Sequence, residues 1–141
     1  MLKYNTLGKT GIKVSQICFG SLTVSPLGAD LPEAEGAEVI AYALESGINF
    51  IDTAQYYQNY ETIKRGMSLY TAHGGRERPV ICTKSYAWNR ELAAEAVGDA
   101  EGGVERADRG QFFLRKSGFF QKRVFVHAAV FGDPFQVLVR Q

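Results

Sequence analysis

Between the N-terminus and Val97, three short apolar runs alternate with helical patterns: Gln16–Leu22, Ile48–Ile51 and Pro79–Thr83. That alternation constrains the fold more than any other feature of the chain. The runs are apolar throughout, as strands covered by helices on both faces are, and strands separated by helices pair in parallel. Each run stops at polar residues: Gly20-Ser21, Asp52-Thr53 and Lys84. In a barrel of strand–helix repeats, the carboxyl ends of the strands form the rim on which chemistry is placed. A doubly wound open sheet fits the same alternation, although no glycine-rich phosphate loop follows the first strand.

The local punctuation supports this reading. Lys3–Leu7 and Ile12–Ser15 flank Gly8-Lys9-Thr10-Gly11, which predicts a short hairpin with a glycine-rich turn. Asp30 is placed to cap a first helix, with Pro32 in its first turn and Glu33 spaced for a capping box. Ala37, Ile40, Ala41 and Leu44 share one face of that helix, and Gly47 ends it. A second helix is expected over about Glu61–Tyr70, stopped by His73-Gly74-Gly75, and a third over Arg90–Val97. Gly8-Lys9-Thr10 does not make a P-loop, because that motif needs a glycine where Lys3 stands.

After Gly98 the pattern is lost. Asp99–Gly110 carries three glycines and scattered charges where a helix should lead to a fourth strand. Phe112-Phe113 and Phe119-Phe120 follow neither helical nor strand periodicity, while Arg123–Phe131 and Phe135–Val139 have strand composition. Local signals that disagree argue against a well-specified fold. The expectation is therefore two regions, residues 1–98 and a tail at 99–141, the tail being irregular or translated out of frame.

Composition narrows the functional classes. The 141 residues carry a net charge of +1, which supplies no electrostatic drive toward nucleic acid or an acidic membrane. No apolar run approaches the roughly 20 residues of a membrane span, and the opening Met-Leu-Lys-Tyr-Asn is polar too early for an export signal. Cys18 and Cys82 lie in apolar runs and are expected as small buried thiols, in keeping with a cytoplasmic location. No ligand spacing for a metal is present.

Four pieces of sequence carry a family likeness. The strand Asn49–Ile51 ends in Asp52-Thr53-Ala54, and Tyr57 follows five positions after the aspartate. The next strand, Ile81-Cys82-Thr83, ends on Lys84. Leu7-Gly8-Lys9-Thr10-Gly11 with Val14-Ser15, and then Phe19-Gly20, open the chain. In this order and spacing the pieces resemble the aldo-keto reductases over roughly residues 3 to 98. The resemblance implies the start of a (β/α)8 TIM barrel, comprising the N-terminal hairpin and about three βα units.

The resemblance implies Tyr57 as the acid that protonates a carbonyl oxygen, Lys84 as its tuner and Asp52 as the lysine's partner. The chemistry is coherent: a phenol is a weak acid at neutral pH, an adjacent ammonium eases proton release, and a carboxylate holds that ammonium in place. The hydride would come from NADPH. Gly20, Ser21 and Asp52 would lie against the cofactor, and Trp88 would form an aromatic wall for a small carbonyl substrate. Taken alone, Asp52 reads as a turn cap, Tyr57 as a half-buried loop aromatic, Lys84 as a solvated strand end and Trp88 as a packing residue. Tyr56 and Tyr60 read as packing or surface residues. Gln58 stands where the family usually has glycine.

The family's fourth catalytic position, a histidine after the fourth strand, would fall near Ser117-Gly118. His127, which ends Val124-Phe125-Val126, fits that role only if an insertion precedes it; otherwise it is a packed or partly exposed histidine. A complete barrel takes about 250 residues. The sequence therefore points to a truncated, inactive reductase chain whose exposed strand edges favour self-association. The alternative is a non-enzymatic half-barrel that pairs with a second copy or with a separate C-terminal half.

Overall fold

The computed structural model describes residues 1–85, residues 91, 92 and 95, and the strands at 111–116 and 128–130. A hairpin of β1 (Tyr4–Thr6) and β2 (Lys13–Ser15) stands apart from the main sheet, with Tyr4 opposite Ser15. Its turn closes through the Leu7 N–H on the Ile12 carbonyl at 2.8 Å. Asn49 latches it to the sheet: its Oδ1 accepts from the Ser15 N–H at 2.8 Å and its Nδ2 donates to the Lys13 carbonyl at 3.1 Å.

The main sheet runs β3 (Phe19–Gly20), β4 (Phe50–Asp52), β5 (Val80–Ser85), β6 (Gln111–Lys116) and β7 (Ala128–Val130), in that order. The first four strands are parallel, and β7 returns antiparallel to β6. Helices α1 (Glu33–Glu45) and α2 (Tyr60–Ala72) supply the crossovers β3–α1–β4 and β4–α2–β5. Glu91, Leu92 and Glu95 are also helical, within the expected third helix. Among the described residues the sheet does not close into a barrel, and no helix is long and apolar enough to cross a membrane.

Both crossover helices stop as their glycines dictate. Gly47 takes φ +90°, its N–H bonds the Leu44 carbonyl at 2.9 Å, and the Ile48 N–H bonds the Ala43 carbonyl at 3.0 Å. Gly74 repeats this at φ +93°, with Gly74 on Thr71 at 3.0 Å and Gly75 on Tyr70 at 2.9 Å. These are paired Schellman bonds, which satisfy the last helical carbonyls at a left-handed residue. The start of α1 differs from expectation. Its N-cap is Pro32 with no side-chain cap bond, and Asp30 instead turns the chain at φ +49°. The N–H of Asp30 reaches back to the Ser25 carbonyl at 3.1 Å, so this residue closes the preceding loop rather than the helix.

The core lies between the sheet and the two helices. Ile51 and Ile81 pair with each other, and Phe19 pairs with Ile51. This row packs with Ile40, Leu44, Ile63 and Met67. The adjacent row, Gly20–Asp52–Cys82, points to the other face and is less buried. Pleating therefore places one row in the core and delivers Asp52 to the opposite face.

The helices cross closely because of Gly66. A Cβ there would lie 2.7 Å from Ile40 Cβ and 2.9 Å from the Ala37 carbonyl. Gly66→Ala is expected to destabilise the protein by about 1–3 kcal/mol through overpacking, against the roughly 1 kcal/mol it gains in helix propensity. A urea midpoint that rises instead of falling would show that α1 and α2 have room to separate.

Two further expectations are corrected. Gln16–Leu22 is not one strand: pairing is limited to Phe19–Gly20, and Ser21–Val24 is a 3-10 turn. That turn is held by the Ser25 hydroxyl on the Leu22 carbonyl at 2.8 Å and by Thr23 Oγ1 on the Gly20 carbonyl at 3.1 Å. Such short-range side-chain bonds compete with extension of the strand. Secondly, Phe112-Phe113 lies in strand β6, registered against Ile81 and Cys82. Its own periodicity did not reveal this, because the pairing partner is the edge of β5. Strand β7 falls inside Arg123–Phe131, while Phe135–Val139 lies outside the described residues.

Candidate active site

The ends of β4 and β5 bring three of the sequence-derived candidates together. Asp52 ends β4, and Lys84 is the penultimate residue of β5. Lys84 Nζ donates to Asp52 Oδ2 at 2.6 Å and to the Thr53 carbonyl at 2.7 Å. Tyr57 ends a 3-10 turn, Gln55–Tyr57, that follows β4, and Lys84 Nζ lies 5.2 Å from the centre of its ring. The lysine side chain is 17% exposed and that of Asp52 39%, so the ammonium is largely shielded while one flank of the carboxylate meets solvent. An ammonium has three donors. Two are engaged by Asp52 and Thr53.

The backbone around Tyr57 is held at a cost. Gln58 adopts φ +53° and ψ +33°, the left-handed conformation that glycine takes freely. A side chain there costs about 1–2 kcal/mol, and glycine gives back about 0.5–1 kcal/mol through its freer unfolded chain. Gln58→Gly is therefore expected to raise stability by up to about 1 kcal/mol, read as a higher urea midpoint at unchanged slope. A lower midpoint would mean that the glutamine side chain makes a compensating contact.

Behind the rim lies a buried polar network that sequence reasoning missed. Thr53 Oγ1 donates to Asn59 Oδ1 at 2.9 Å, and Asn59 Nδ2 donates to the Ser21 carbonyl at 2.8 Å. Tyr60 Oη and Thr83 Oγ1 share a hydrogen bond of 2.7 Å, tying the start of α2 to β5. Tyr60 is thus a structural tie beneath the site. The available signal was an Asn two residues after the tyrosine, which reads locally as a helix cap.

Of the cofactor-side candidates, Gly20 is exposed with open space where a Cβ would stand, and Ser21 is fully buried. The Ser21 hydroxyl has no hydrogen-bond partner among the described residues. Trp88 and His127 lie outside the described residues. Among those described, no cluster of three His, Cys, Asp or Glu side chains is arranged for a metal ion.

Cys18 and Cys82 are both thiols, but only Cys82 is partly buried; Cys18 is exposed, contrary to expectation. Cys18 precedes β3, which pairs only with β4 among the described residues, so no second strand covers it. Although exposed as a residue, its thiol is pushed up to about 12 by partial desolvation first and then by the charge of Asp52, with Lys84 opposing. A thiol held protonated in this way is a poor nucleophile.

The residues from 16 to 108 match the model of the Aldo/keto reductase family. The uncharacterized oxidoreductase YrpG of Bacillus subtilis is 34% identical over 90 residues, which is 60% of this chain and 27% of that protein. L-galactose dehydrogenase of Arabidopsis thaliana is 29% identical over 99 residues, 68% of this chain and 31% of its own length. An aldo-keto reductase of Bombyx mori, solved in complex with NADP, superposes with a TM-score of 0.62 at 20% identity, over 73% of this chain and 34% of that one. A putative aldo-keto reductase from Pseudomonas aeruginosa gives a TM-score of 0.62 at 24% identity, over 82% and 47% respectively. The chain thus spans about a quarter to a third of the curated relatives it matches, and the solved structures show that it shares part of their TIM-barrel fold. With the family model covering more than half of its length, the chain belongs to the aldo/keto reductase family.

Proposed function

We propose that this chain carries the proton-delivery part of an NADPH-dependent carbonyl reductase. Tyr57 is the acid, Lys84 the cation that eases loss of its proton, and Asp52 the anion that holds Lys84. The observation that carries this reading is the Lys84 ammonium, bonded to Asp52 and Thr53 at 2.6 and 2.7 Å with the Tyr57 ring 5.2 Å away. A cation held in place beside a phenol stabilises negative charge as the proton departs, and a pre-formed pair avoids reorganisation at that moment.

The residues present fit one end of the cofactor. Gly20 leaves open space at the end of β3, its register partner Asp52 is partly exposed, and the buried Ser21 hydroxyl has no partner among the described residues. When bound, NADPH supplies the hydride. Gly20, Ser21 and Asp52 would flank it, and Tyr57 would hold and then release the proton at its phenolic oxygen. A small aldehyde or ketone is the substrate class this chemistry serves.

The 141-residue chain assayed alone is expected to show negligible NADPH-dependent reduction of a simple aldehyde. Robust turnover abolished by Tyr57→Phe would overturn that expectation while upholding the role of Tyr57. A second reading, an interaction half-barrel that pairs with another copy, is favoured by the single pairing of β3 among the described residues and by exposed Ile17, Val39 and Tyr42. Sedimentation decides it: a monodisperse dimer that unfolds cooperatively supports pairing, and a monomer or heterogeneous aggregate counts against it.

A further inference from the structure

We infer that Asn59 is a positioning residue that fixes Tyr57 relative to Lys84 by clipping shut the base of the loop that carries Tyr57; this rests on the proton-delivery reading above. Asn59 is the N-cap residue of α2, the position from which an asparagine side chain ordinarily accepts a bond from the first turn of its own helix. Here it makes no such bond. Its side chain, 1% exposed, is turned inward, accepting from Thr53 Oγ1 at 2.9 Å and donating to the Ser21 carbonyl at 2.8 Å. A residue that abandons its local bond for two tertiary ones breaks a sequence-level rule, and such breaks concentrate at functional sites.

The geometry shows what the two bonds secure. The Thr53–Asn59 bond closes a loop whose middle holds the Gln55–Tyr57 turn and whose last step is the left-handed Gln58. A strained residue persists only where its surroundings over-determine it. Thr53 is held on three sides. Its N–H bonds the Cys82 carbonyl at 2.7 Å, its hydroxyl bonds Asn59, and its carbonyl accepts from Lys84 Nζ at 2.7 Å. The clip therefore joins the tyrosine loop to the peptide that fixes the lysine. Through Ser21, it also joins both to the end of β3. Releasing it lets the loop relax toward an unstrained Gln58 and carries Tyr57 away from the ammonium.

The test is the NMR cross-relaxation between the Lys84 ε-methylene protons and the Tyr57 ring in the 141-residue chain. Asn59→Ser keeps a side chain able to cap α2 but is too short for both tertiary bonds. Thr53→Val removes the same bond from its other end, and Thr53→Ser keeps the hydroxyl. Cross-relaxation falls with the sixth power of distance, so a displacement of about 1 Å, enough to spoil a catalytic constellation, lowers it roughly threefold. The expected result is that loss in Asn59→Ser and in Thr53→Val, no further loss in the double variant, and a wild-type signal in Thr53→Ser. Gly66→Ala, which loosens the fold away from the site, should leave the signal intact. An undiminished signal in Asn59→Ser or Thr53→Val overturns the positioning role of Asn59 alone. Absence of the signal in the wild-type chain overturns the proton-delivery reading, and the role of Asn59 with it.

Discussion

In a barrel completed by the strand–helix units that the longer relatives carry, Tyr57→Phe is expected to lower kcat/KM for a simple aldehyde by about 10²–10⁴-fold, the usual contribution of a positioned acid. The substitution removes one oxygen and leaves the rest of the site in place, because Lys84 is held by Asp52 and Thr53 rather than by the phenol. The proton is transferred only in the transition state, so the loss should fall on kcat with KM little changed. Steady-state rates followed by NADPH absorbance measure this directly. A loss smaller than about tenfold would assign the proton to another group and remove the main support for the proposed function.

The second large effect concerns stability. Ile51 is 1% exposed, in the core row with Phe19 and Ile81, one residue before Asp52. Ile51→Ala is expected to cost about 2–5 kcal/mol, combining lost burial with an unfilled cavity under the helices. That is a large share of the roughly 5–15 kcal/mol available to a typical domain. Leu27→Ala, at a residue 51% exposed, should stay within about 0.5 kcal/mol. Urea unfolding of the two variants tests the contrast. A small loss at Ile51 would mean that the core between sheet and helices is loosely packed.

The candidate site is partly legible in the sequence. The family resemblance names Asp52, Tyr57 and Lys84, and the fold sets Lys84 Nζ 2.6 Å from Asp52 Oδ2 and 5.2 Å from the centre of the Tyr57 ring. Asn59 is not legible in this way, because in sequence it is indistinguishable from an ordinary helix cap. Its partners are Thr53 and the Ser21 carbonyl, one on the preceding strand end and the other far back in the chain. In the sequence Gln58 shows only as a departure from the glycine usual in the family. Its left-handed backbone explains why glycine suits the position.

By itself the sequence determined the hairpin, both crossover helices with their glycine stops, and the parallel strands β4 and β5 with their polar ends. These depend on short-range signals: apolar runs, helical spacing and the φ that glycine tolerates. Only the tertiary structure decided how far β3 extends, that Cys18 meets solvent, that Phe112-Phe113 joins the sheet, and that Asn59 faces inward. Each of these depends on what lies across the sheet or behind the strand. Strand pairing and the choice between a local cap and a distant acceptor are settled by partners remote in sequence, which no local pattern encodes.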